Sequence, residues 1–72
     1  MTLCVWTIKL QRLGDAKAKH VEKRNENRAP RLGETIKVHG NDGSLISANI
    51  IHFSHVPGPD SGESYTVTAK EI

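Results

Sequence analysis

The side chains best able to do chemistry stand close together in the stretch SANIIHFSHVPGPDSG, residues 47–62. His52 and His55 lie three apart and could hold a metal ion, and with Asp60 and Ser61 they supply the side-chain types of a nucleophilic triad. Spacing argues against the metal. On a regular strand, residues three apart point to opposite faces, so the two imidazoles cannot clasp one ion without distortion. A bulge could bring them together, with His39 from a neighbouring strand, but zinc needs three or four converging ligands and no CxxC or HxxxH spacing accompanies the pair. Two solvent-facing strand histidines are expected.

The triad fares no better. PDSGES resembles part of the nucleophile signature of chymotrypsin-like proteases, with Pro59 where the first glycine belongs. A chain of 72 residues cannot supply the two barrels and oxyanion hole which that chemistry requires. The segment is expected to be a turn. Cys4 and Trp6 share the inward, apolar face of one strand, which predicts an inert buried thiol and a core indole. No catalytic residue, cofactor, metal or small-molecule substrate is expected.

The bulk numbers agree. Seventy-two residues make one small domain, with 21 strongly apolar side chains that fill a single thin core layer. One cysteine excludes an internal disulfide and suits a reducing cytoplasm. The longest unbroken apolar run is LCVW, far short of the roughly 20 residues of a membrane span. A soluble, cytoplasmic, non-enzymatic protein is expected. The net charge is only +2, but residues 15–31 carry six basic and three acidic side chains. Such a segment could neutralise phosphate. The candidate nucleic-acid-binding residues are Lys17, Lys19, Lys23, Arg24, Arg28 and Arg31, joined by Lys37 from a strand face, with Lys9 and Lys70 as helpers. Reversing Lys17, Lys19, Lys23 and Arg24 is expected to weaken such binding with little change in melting temperature.

The elements that position these residues read mostly as strands. In TLCVWTIKLQR, Cys4, Trp6, Ile8 and Leu10 fall on one face and Thr7, Lys9 and Gln11 on the other. ETIKVH puts Ile36 and Val38 inward, GNDG marks a tight turn, and SLISANIIHFSHV begins a long strand. Ile46, Ala48 and Ile50 share one face of it while Ile51 and Phe53 share the other, which predicts a bulge near Ile50. Tyr65, Val67 and Ala69 alternate in the last strand. Residues 15–30 break the pattern: Ala16, Ala18 and Val21 are their only apolar side chains before Ala29 and Pro30, so no stripe exists to bury. A mobile basic loop or short frayed helix is expected there.

The order predicts a mainly β fold, a small antiparallel, partly open barrel of about four to five strands with the basic segment inserted after the first. GETIKVHGNDGSLISANI, residues 33–50, resembles the KOW motif of ribosomal proteins and transcription elongation factors. Gly33, Glu34, Ile36 and Val38 match its opening, and Ile50 matches a later apolar position. The resemblance covers 18 of 72 residues and implies a Src-homology-3-like barrel that contacts RNA. The residues thus point to a binding module for RNA or DNA. The alternative is a protein-interaction or self-associating module that pairs an open sheet edge, expected on the strands holding Thr7 and Thr68, with a partner strand.

Overall fold

The computed structural model describes residues 3–57 and 62–72. They form five strands: β1 (Cys4–Gln11), β2 (Lys19–Glu26), β3 (Thr35–His39), β4 (Leu45–Pro57) and β5 (Glu63–Glu71). The spatial order is β2-β1-β5-β4-β3, and the sheet curls strongly into a half-barrel. The mainly β, barrel-like architecture is as the alternation predicts.

Pairing departs from the expected all-antiparallel sheet. β1–β2, β3–β4 and β4–β5 are antiparallel, but β1 and β5 run parallel, with Trp6 opposite Tyr65 and Ile8 opposite Val67. The reason is connectivity: the β1–β2 pair and the β3–β4–β5 meander meet along their most apolar strands, which places β1 and β5 side by side with the same sense. Thr7 and Thr68 therefore sit on central strands, not edges.

The core is one face of this sheet. Cys4, Trp6, Ile8 and Leu10 of β1 pack with Ile36 and Val38 of β3, Ile46, Ala48 and Ile50 of β4, and Tyr65, Val67 and Ala69 of β5. Each set alternates with outward residues, as period two requires. The register shift in β4 falls between Ile50 and His52. Ile51 is the extra residue, half exposed, and its insertion returns Phe53 to the inner side, packed against the core. The bulge is thus where the phase switch predicts it, and it brings Phe53 inward.

The expectation of a loop or short helix over residues 15–30 is corrected: residues 19–26 are a strand. An edge strand completes its ladder on one side only and needs no continuous apolar stripe, and charges along it guard against stray pairing. β2 needs only Val21, packed against the core, and the free edge of β1 to pair with. Its connection to β3 then crosses the inner face. Trp6 Nε1 donates to the Arg28 carbonyl at 3.0 Å, Pro30 is buried, and the Gly33 amide donates to the Ile50 carbonyl at 2.8 Å. Gly33 (φ 82°) and Gly43 (φ 84°, in the β3–β4 turn) adopt left-handed conformations that a side chain would strain.

Candidate nucleic-acid interface

Residues opposite one another on paired strands share a face, so the register sorts every charge in the sheet. Glu26, Arg24 and Glu22 lie opposite Cys4, Trp6 and Ile8, on the inner face. Glu63 lies opposite Cys4, and Glu71 opposite Ala48, also inward. Glu34, Asp15 and Asp42 belong to connections. Among the described residues, no Asp or Glu occupies the outer face.

The inner acids are engaged. Glu22 reaches from β2 across the gap to β3, where its Oε1 accepts the His39 amide at 2.9 Å. Arg24 Nη2 donates to that same Oε1 and to the Lys37 carbonyl, each at 2.7 Å. These bonds bridge the two edge strands of the half-barrel side chain to backbone. Partial burial works against the Glu22 carboxylate, but the Arg24 and His39 hydrogen bonds outweigh it and hold its pKa below the usual range. Arg28 forms a bidentate pair with Glu34 and lies 5.1 Å over the Trp6 ring. That pairing, chiefly the Arg28 hydrogen bond, lowers the Glu34 pKa. At the other rim Glu71 accepts the Leu13 amide at 3.1 Å and meets Arg12, which also pairs with Asp42.

The outer face shows the opposite composition. One cross-strand row runs Lys23–Thr7–Thr66–Ser54, the next His20–Lys9–Thr68–His52, and the next Gln11–Lys70–Asn49–Thr35. Lys37 lies beside Ser47 one row further on. Lys23, Lys9 and Lys70 therefore step diagonally, one strand over and one row along at each stage. Diagonal neighbours of this kind are about 7–8 Å apart at Cα, within reach of one polyanion chain. Lys37 continues the stripe on β3, and the Arg24 bond to its carbonyl places it across the seam from Lys23. Among the described residues, none of these four lysines makes a salt bridge or a side-chain hydrogen bond to protein. Thr7, Thr66, Thr68 and Ser54 place hydroxyls between them.

The residues singled out by sequence divide on this frame. Lys23 and Lys37 stand on the outer face. Lys19 shares the inner side with Leu10 at the rim, while Lys17 and Arg31 are exposed in connections. Arg24 and Arg28 hold the fold together and have guanidinium groups already occupied. Lys9 and Lys70, helpers by sequence, lie at the centre of the stripe, and His20 and His52 join the Lys9 row. Alternation signals the outward direction of Lys9 and Lys70; only the parallel β1–β5 register shows that they are neighbours.

His52 and His55 fall on opposite faces, as their spacing requires: His52 opposite Thr68 and His55 opposite buried Tyr65, against whose ring it stacks at 4.9 Å. No group of three or more His, Cys, Asp or Glu converges among the described residues. Asp60 and Ser61 lie outside them. Trp6 and Tyr65 are buried and Phe53 packs against the core, so no Trp, Tyr or Phe ring is offered on the outer face. No helix is long and apolar enough to cross a membrane. Comparison of the chain with protein-family models, with curated proteins and with solved structures finds no match.

Proposed function

We propose that this chain is a cytoplasmic, non-enzymatic module that binds RNA or DNA through its sugar–phosphate backbone, on the outer face of the half-barrel. One observation carries the reading: four lysines with no salt-bridge or side-chain hydrogen-bond partner among the described residues step across a face on which no described residue is acidic. Lysines neutralise phosphate as point charges, and the hydroxyls between them can donate to phosphate oxygens. With no Trp, Tyr or Phe ring on that face, extended base stacking does not drive the mode, and binding is largely indifferent to sequence. The KOW-like stretch of residues 33–50 is consistent with such a role and contributes Lys37 to the surface.

The test is a titration of a short single-stranded RNA across a salt series. Four neutralised phosphates give a slope of log K against log salt of about −3, because each releases its condensed counterion on binding. Replacing Lys9, Lys23, Lys37 and Lys70 by Gln flattens that slope stepwise, by about 0.7 per lysine. A slope unchanged in the quadruple variant refutes the assignment of this face.

A further inference from the structure

We infer that the distal half of β4, residues 51–57, is a self-association edge, pairing antiparallel with the same segment of a second copy to make one continuous sheet. β3 pairs with β4 only from Leu45 to Asn49, and the last backbone bonds on that side involve Ile50, whose amide donates to Glu34 and whose carbonyl accepts from Gly33. Beyond that point β4 pairs with β5 alone among the described residues. Its other side presents a row of backbone donors and acceptors, a template for another strand.

The other edges of this sheet are protected; this one carries no such protection among the described residues. β2 carries Lys19, Glu22, Lys23, Arg24 and Glu26, contains a bulge, and is bridged to β3 by Glu22 and Arg24. Residues 51–56, IHFSHV, contain no Lys, Arg, Asp or Glu, and no proline interrupts them before Pro57. Ile51 is 49% exposed and Val56 50%, and Phe53 is only partly covered.

Charge and symmetry select the occupant. An uncharged strand offers nothing to a basic or acidic peptide, and it meets its own copy without like-charge contact. A two-fold axis through Ser54 overlaps the whole run, setting Phe53 against His55 of the second copy on the inner side and His52 against Val56 on the outer side. Isologous contact of this kind is the common form of dimer. Residues sharing a face stay together across such a junction, so both lysine-bearing outer faces lie on the same side of the joined sheet. The inference does not rest on nucleic-acid binding, and its test is run without nucleic acid.

Sedimentation of the full chain is expected to show mass doubling between about 10 µM and 1 mM, as a small edge contact implies, with little dependence on salt. Ser54→Lys, an exposed substitution that faces its own symmetry mate, is expected to raise the dissociation constant at least about tenfold with the far-UV spectrum unchanged. Paired positions on the axis lie about 4.5–5.5 Å apart at Cα, within disulfide range. Ser54→Cys is therefore expected to give a reducible covalent dimer, and Asn25→Cys on β2 none. A parent chain monomeric throughout that range, a dimer indifferent to Ser54→Lys, or equal cross-linking at residues 25 and 54 overturns the inference.

Discussion

Arg24 and Lys23 are adjacent basic residues on one strand, yet they should respond oppositely to the same perturbation. Arg24→Met keeps the apolar stem and removes the guanidinium that joins the Lys37 carbonyl to the Glu22 carboxylate. A hydrogen bond from a charged donor contributes about 1.5–3 kcal/mol. The ion pair with Glu22, between partly exposed groups, adds at most about 1 kcal/mol. The expected loss is therefore about 2–3 kcal/mol. A domain of this size holds roughly 4–11 kcal/mol in total, at about 0.05–0.15 kcal/mol per residue, so the variant should still fold. At about 4–8 °C per kcal/mol, its melting temperature should drop by roughly 10–20 °C.

Lys23→Met, one residue away, exposed and without a partner among the described residues, should stay within about 0.5 kcal/mol of the parent. Thermal melts of the two variants decide the matter, and amide exchange locates it. The His39 amide, bonded to Glu22, should exchange faster in Arg24→Met and not in Lys23→Met. Coincident melting curves would refute the bridged seam and return Arg24 to the pool of free surface cations. The expectation that Arg24 can be reversed without cost to stability is thus replaced by its opposite.

Trp6→Ala removes a side chain with no solvent exposure, together with the indole donor to Arg28, and should cost roughly 3–5 kcal/mol; a cooperative melt within a few degrees of the parent would contradict the assigned core. Acid should weaken the fold through Glu22 and Glu34, whose folded-state pKa values lie below the ordinary 4.5. Their stabilisation is whole above that value and is lost as pH falls from it through the lower folded-state pKa values, because the unfolded chain takes up its protons first. Denaturant melts across that window should show a shallower pH dependence in Glu34→Gln than in the parent.

How much of this was legible in the sequence depended on whether the controlling contacts were local. β1, β3, β4 and β5 each alternate apolar and polar side chains because one face is buried, and the bulge at Ile51 shows as a break in that alternation. β2 escaped because it lies at an edge: apart from Val21 its inward residues are mostly charged, with Glu22 and Arg24 bonded to the β3 backbone and Glu26 beside Arg24, rather than packed in an apolar core. The same blindness affected the site. Arg24 and Arg28 look like free cations until β3 and Glu34 are placed beside them. Lys9 and Lys70 are 61 positions apart in sequence, and only the parallel pairing of β1 with β5 makes them neighbours.

Net charge is a poor guide to such a protein, and the reason is geometric. A total of +2 suggests a weak attraction for polyanions when the charges are averaged over the chain. Here they are not averaged. Glu22, Glu34 and Glu71 are held at rims and seams by Arg24, Arg28 and Arg12, arginines suited to fixed, forked contacts with carboxylates. The four strand lysines are left on the other side of the sheet, with no salt bridge among the described residues. The field over the outer face is set chiefly by these lysines, because the rim acids lie on the other side of the sheet and are already paired with arginines. The residue types follow the same division: arginine where geometry must be held, lysine where a phosphate chain could lie in more than one register. Replacing Lys9 or Lys70 by Arg should therefore preserve the proposed nucleic-acid binding, whereas replacing Arg24 or Arg28 by Lys should cost stability despite conserving every charge.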